Sequence, residues 1–281
     1  MIKNLDYKVK RNEDCVLIQV GDWISPSFLS FQKINGKKSI TCFTRALASN
    51  LINRDFNIKD GSIIALTSAA SDIAGMRGYE MGDGVKYFDT PISQIIGTIE
   101  GNEITLNNLR IAPTKILMRK INRSHSILIP ADSQEMIGKI VLAGASSGLK
   151  AGEEVLIKDN VTTTLRLDGE DFFAADCSNV VGVIGEEIRF INESILMTSY
   201  VPNKLFSSSI LVAPELNYED LDYSDIYNRD LFKIKFLDES IRELSEGDIV
   251  LVNRDYTNYV WINDTKYFLI NGKKYIEAKV L

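Results

Sequence analysis

The residue types that could support catalysis are few and widely separated along the 281-residue chain. The single histidine, His125, lies between two serines, so a Ser-His-Asp arrangement would have to be assembled within a polar segment. The stretch GASSGLKAG at 144–152 is glycine-rich, but it lacks the Lys-Ser/Thr ending of a phosphate-binding loop and leads into a strand-like run. We therefore interpret it as a turn and expect no enzymatic activity.

Acidic and sulfur-containing residues do not predict a cofactor site either. Asp168, Glu170 and Asp171 cluster in LDGED, where Asp-Gly with flanking acids is typical of a hairpin tip rather than of a calcium loop. Cys15, Cys42 and Cys177 are odd in number and form no CxxC pair, which indicates reduced thiols rather than a disulfide framework or a zinc site. We expect no metal and no other cofactor.

Overall charge restricts the partners. The net charge is -6, the sequence pI is about 5.1, and the basic residues are scattered, so we expect no nucleic acid partner. The charged opening MIKNLDYKVKRNED has no apolar run behind it, and no stretch approaches the roughly 18 apolar residues of a membrane span. These features predict a soluble protein with no signal peptide and no membrane partner.

The elements that would position any site are predicted to be strands. Short runs of Val, Ile, Leu, Tyr and Phe alternate with polar residues and are separated by Gly, Asn and Asp, which is typical of an all-β protein with antiparallel sheets. Two segments are helical candidates, Thr44–Asn53 and Tyr223–Arg229, and both are short.

An internal repeat divides the chain. KDGSIIAL at 59–66, KAGEEVLI at 150–157 and SEGDIVLV at 245–252 each predict a tight turn, with glycine in a left-handed conformation, followed by a strand. Closing strands follow at 87–99, 172–184 and 267–281. We predict three modules at 1–104, 105–190 and 191–281, joined by short polar linkers that hold them close together.

The middle module resembles a subunit of the GroES co-chaperonin family. The resemblance covers residues 111–184 and runs through an opening strand after Pro113, the apolar tripeptide Ile127-Leu128-Ile129, GKIVLAG at 138–144, LKAGEEVLI at 149–157 and DFFAADCSNVVGVI at 171–184. The third module resembles the family through SILVAP at 209–214 and EGDIVLVN at 246–253, with an acidic, tyrosine-rich insertion between them. The first module resembles it in spacing.

The resemblance implies three tandem small GroES-like β-barrels. In that family a ring of subunits forms a dome, and each subunit presents an apolar tripeptide to a chaperonin ring, where several weak contacts act together. Carried over to this sequence, the residues implied to bind a chaperonin are Ile127, Leu128, Ile129, Ile210, Leu211 and Val212. Three consecutive apolar residues are equally typical of a buried strand, so both interpretations stay open.

Two functions follow from these observations. The first is a structural or assembly protein, an oligomer that contacts other protein subunits in a large particle, with a bacteriophage virion as the expected setting. The second is a co-chaperonin that caps a chaperonin ring in the host cytoplasm and assists folding of a viral capsid protein. They differ in whether the tripeptides are accessible in the isolated chain.

Overall fold

The computed structural model describes residues 15–24, 33–34, 37–38, 42–50, 56, 58–80, 82–121, 137–158, 162–200, 229–263 and 265–280. Most of these residues lie in strands, and one α-helix is present among them, so the all-β prediction is confirmed at the level of class. The strands form three large antiparallel sheets and a separate ribbon of β2 (Lys33–Ile34) and β3 (Lys37–Lys38). Within these residues each large sheet is open, with a different strand at either edge, and the GroES-like barrels stay a prediction.

The first sheet has the strand order β6-β7-β1-β4-β5-β8-β9. Helix α1 (Ser68–Arg77) follows the third strand of this sheet along the chain and buries Ala70 and Ala74, one turn apart, in the core of the sheet. The strands are β1 (Cys15–Gln19), β4 (Cys42–Asn50), β5 (Ile63–Leu66), β6 (Tyr79–Glu80), β7 (Lys86–Pro91), β8 (Ile95–Ile99) and β9 (Leu109–Ile111).

The helix predicted at Thr44–Asn53 is wrong over its described part, because residues 44–50 belong to β4. This strand lies between β1 and β5 and pairs with both of them. The run TRALA has good intrinsic helix propensity, but pairing on both edges of a central strand outweighs so weak a preference. Of the second candidate, residues 223–228 lie outside the described residues, and Arg229 begins a strand.

The middle and third sheets repeat the same order, β13-β14-β10-β11-β12-β15-β16 and β20-β21-β17-β18-β19-β22. The middle strands are β10 (Lys115–Lys120), β11 (Ile137–Ala143), β12 (Glu154–Ile157), β13 (Thr163–Leu167), β14 (Glu170–Asp176), β15 (Val180–Ile184) and β16 (Ile188–Phe190). The third sheet contains β17 (Ser194–Ser199), β18 (Arg229–Leu237), β19 (Ile249–Asn253), β20 (Asn258–Ile262), β21 (Thr265–Asn271) and β22 (Ile276–Val280).

The three predicted glycine turns are confirmed. Gly61, Gly152 and Gly247 have φ angles of 83°, 93° and 93°, in the region that favours glycine, and β5, β12 and β19 begin two residues after them. The predicted closing segments also agree, since each consists of two strands joined by a 3-10 turn. The tip of LDGED is a hairpin in which Asp168 and Gly169 both have positive φ.

A β-bulge occurs at the same place in all three sheets. The register shifts between Ala65 and Leu66, between Leu156 and Ile157, and between Leu251 and Val252. In each case the extra residue lies on the second strand of the closing segment, and in the first two sheets it packs in the same core as Ala65 or Leu156. The extra residues are Ile96, Val181 and Glu277.

Contacts divide the chain into two compact units. One comprises Met1–Arg119, Ile140–Ala151 and Thr162–Cys177, and the other comprises Lys120–Lys139, Gly152–Val161 and Ser178–Leu281. Strands of the middle sheet contribute to both. The predicted boundaries at 104 and 190 stay predictions.

Candidate interaction surfaces

The residues predicted to bind a chaperonin lie outside the described residues. Ile127, Leu128 and Ile129 fall within 122–136, together with His125, and the second tripeptide, 210–212, falls within 201–228. Whether either tripeptide is a loop or a strand therefore stays open. The surfaces that can be built from described residues are sheet faces.

In the first unit, one apolar core joins strands of the first and the middle sheet. Phe43 on β4 and Ala65 on β5 are fully buried, and they share this core with Leu117 on β10, Leu165 on β13 and Phe172 on β14. Residues of the opposite face of the same strands, such as Ile64 and Leu66, belong to a separate core with β1 and α1. The first sheet is thus buried on both faces, which explains why β5 and β8 are buried along their whole length.

In the second unit, residues at the corresponding strand positions form a second core. Ile137 on β11, Leu156 on β12 and Val181 on β15 pack with Leu196 on β17 and Val260 on β20. In each unit, therefore, one sheet presents one side of three neighbouring strands, which are β4, β5 and β8 in the first sheet and β11, β12 and β15 in the middle sheet. The next sheet along the chain covers that side with its first strand and with the hairpin β13–β14 or β20–β21. We call the presented side of each sheet its outer face.

Two glycines permit the linker strands to approach closely. A Cβ atom on Gly97 would lie 2.5 Å from the Arg110 oxygen in β9, and one on Gly182 would lie 2.8 Å from a methyl group of Ile188 in β16. The Arg110 oxygen belongs to the backbone and cannot move aside, so glycine is required at position 97. At position 182 the nearest atom belongs to a side chain, and the backbone oxygen of Arg189 would follow at 3.1 Å. We call β9 and β16, which pair with β8 and β15 at these glycines, the linker strands. The third module has Ala278 at the same register position.

The outer face of the third sheet lies on β18, β19 and β22, and we call it the terminal face. Val250 and Val252 are fully buried in the core of the third module, so Ile249 and Leu251 point to the other side. Both of these residues are half-buried, whereas Ala65 and Leu156, which correspond to Leu251, are buried. The terminal face consists of Leu231, Lys233, Ile249, Leu251 and Glu277.

An apolar recess of about 520 Å³ lies beside the second shared core. Phe236 forms part of its wall, stacks on Phe190 with ring centroids 5.4 Å apart, and is 37% exposed. Leu156 and Ile262, which belong to that core, line it together with Glu186. The recess is continuous with the core that joins two modules, so we assign it to that packing.

Several charged groups among the described residues hold strands and turns together. Lys115 is 6% exposed, and its Nζ donates a hydrogen bond of 3.0 Å to Asp176 Oδ2, which ties β10 to β14. Asp168 Oδ2 accepts a hydrogen bond of 2.9 Å from the backbone N–H of Leu106. Among the described residues, no group of three or more His, Cys, Asp or Glu side chains could hold a metal ion. None of the described helices has the length and apolar character needed to cross a membrane.

The carboxylate of Asp248 gives the third sheet a pH dependence. Burial acts to raise the pKa of Asp248, but hydrogen bonds from Lys279 Nζ and from the Ser245 N–H outweigh it and hold the pKa below its ordinary value of 3.8. Because the folded pKa is depressed, the stabilisation is complete above the unfolded pKa and is lost as pH falls below about 3.8 toward the folded value.

We expect Asp248→Asn to flatten this part of the pH profile. Thermal unfolding midpoints between about pH 5 and pH 2 should fall less steeply in the variant than in the wild type. Lys279→Gln removes one of the two donors, so its profile should lie between the other two. Identical slopes for all three chains would contradict the assigned role of Asp248.

Comparison with known proteins identifies no family for this chain. No protein-family model matches it, and no curated protein matches it significantly. The resemblance to GroES subunits therefore stays an expectation from the sequence.

Proposed function

We propose that the chain is a non-enzymatic structural protein whose β modules make protein contacts in a large assembly, with a bacteriophage virion as the particle. The observation that carries this proposal is the repeated use of the outer face. Two of the three outer faces are covered by strands of the following module, through Phe43 and Ala65 in one unit and through Ile137 and Leu156 in the other. A β module that buries an apolar outer face in this way is suited to pack against another β module.

Sedimentation tests this proposal directly. A tag is added to the chain at its own gene, so that the tagged protein is produced together with its natural partners. We expect the tagged chain to sediment with a particle far heavier than the 31.5 kDa chain. The tagged protein added to a lysate of untagged cells after lysis is the control for adventitious attachment. A chain that sediments alone, at its own mass, would contradict the assembly role.

The co-chaperonin function makes the opposite prediction for purified protein. Under the assembly proposal we expect the chain not to suppress the ATPase of a double-ring chaperonin in the presence of nucleotide. The matched variant changes Ile127, Leu128 and Ile129 together to serine. Suppression by the wild type that this triple variant abolishes would instead establish the co-chaperonin.

A further inference from the structure

We propose that the terminal face is an interface with a second copy of this chain. This inference rests on the assembly role proposed above and assigns it a surface and a partner. In the proposed dimer a twofold axis runs parallel to β19 between the two copies, and the two terminal faces pack against each other.

The terminal face repeats the apolar positions that are covered in the other two sheets. Leu251 pairs with Leu231 and Ala278, just as Ala65 and Leu156 pair with their neighbours at the same register positions. Ala65 and Leu156 are at most 1% exposed because the next module covers them. Leu251 keeps the apolar character of that position but is half-buried.

Ala278 makes a covering segment like those of the first two sheets unsuitable for the terminal face. In the first two sheets the chain runs to the covering sheet through β9 or β16. These strands pair with β8 and β15 and approach them closely at Gly97 and Gly182. Ala278 supplies the Cβ atom that such a close approach excludes, and it is itself only 6% exposed. The third sheet is therefore not shaped for a linker strand of this kind, and a separate chain is the better occupant.

Burial on the first sheet favours a twofold pair over a head-to-tail chain of copies. A head-to-tail contact would require the covering side of the first sheet, where Leu17 on β1 pairs with Asp89 on β7. These residues are only 2% and 4% exposed, and Tyr87 on the same strand is fully buried, so that side is already covered. On the terminal face, by contrast, Ile249 and Leu251 are only half-buried, so two copies of this face can bury them further. Self-complementary contacts of this kind form closed dimers.

The twofold axis also fixes which residues meet. Rotation about an axis along β19 keeps each residue at its height along the strand and places β22 of one copy over β18 of the other. Leu251 of one copy then meets Leu251 of the other, and the apolar pair Ile249 and Leu251 lies at the centre of the interface.

Sedimentation velocity of the purified chain tests the interface. We expect a concentration-dependent species of twice the 31.5 kDa chain mass. Leu251→Glu places a carboxylate at the centre of the interface and should weaken dimerisation by about 100-fold or more. Met76→Glu is the matched control, because Met76 is 77% exposed on α1 and its replacement removes a larger exposed apolar group elsewhere.

A second variant separates loss of the interface from loss of folding. Leu251→Cys introduces a smaller side chain without a charge, and near the twofold axis it should form an intermolecular disulfide under mild oxidation. Oxidised wild type, which contains Cys15, Cys42 and Cys177, gives the background.

The outcomes distinguish this inference from the proposed function. A purified chain that stays monomeric up to about 100 µM, or a dimer unaffected by Leu251→Glu and not cross-linked through Leu251→Cys, overturns the interface. The assembly role survives that result if the tagged chain still sediments with a particle. A dimer through Leu251 combined with a chain that sediments free of any particle supports the interface and removes the assembly role.

Discussion

Gly144→Ala is expected to lower the free energy of unfolding of the first unit by about 3 kcal/mol or more. A Cβ atom at this position would lie 2.2 Å from the carbonyl oxygens of both Ala112 and Pro113. These are backbone atoms fixed by hydrogen bonds, since Ser146 N–H donates to the Pro113 oxygen at 2.9 Å, and they cannot move aside as a side chain would. The glycine is therefore required where the end of β11 meets the segment that enters β10.

Gly75→Ala is the matched control. A Cβ at Gly75 meets nothing within 4 Å, and the residue lies inside α1. Because glycine in a helix interior loses more backbone entropy on folding than alanine, this variant should be more stable by about 0.5–1 kcal/mol. Equal unfolding midpoints for Gly144→Ala and the wild type would show that the close approach is absent.

Phe172→Ala should cost the first unit about 3–5 kcal/mol, because it removes an aromatic ring from the core shared by two modules. Phe172 is 1% exposed and packs with Leu117 and Leu165. The neighbouring Phe173 points to the opposite face and is half-buried, so Phe173→Ala should cost clearly less. The two variants differ only in the face of β14 from which the ring is removed.

Fluorescence can follow the first unit alone. The chain has two tryptophans, Trp23 in the first unit and Trp261 in the second, so Trp261→Phe leaves Trp23 as the reporter. Trp23 packs against the core of the first sheet and should change its emission on unfolding. Denaturant midpoints that shift equally for both phenylalanine variants would contradict a shared core on the Phe172 side.

The turns and strands of each module could be predicted because their signals are local. Gly61, Gly152 and Gly247 require a conformation that other residues avoid, and period-two alternation follows at once in each case. In the first sheet, by contrast, β4 is predicted as a helix and α1 is not predicted at all. The helical propensity of β4 is local, whereas its pairing with two neighbours is not, and the alanine-rich α1 lacks a strong apolar stripe.

The outer faces could not be predicted from any one module, since burial there depends on strands from the next one. The signal is present only when the repeats are aligned. Ile96 and Val181 correspond to Glu277, and Gly97 and Gly182 correspond to Ala278. A polar residue and a Cβ atom appear together in the third sheet, whose outer face shares no apolar core with another sheet among the described residues.

The shared core of the first unit also sets an order of events during synthesis. When the ribosome has completed β9, the apolar face around Phe43 and Ala65 is made, but the strands that cover it end at Asp176. Translation adds roughly 5–20 residues per second, so this face waits for several seconds with no partner. The nascent chain therefore passes through an interval in which its first sheet is vulnerable to aggregation, and slow codons in that stretch would lengthen it.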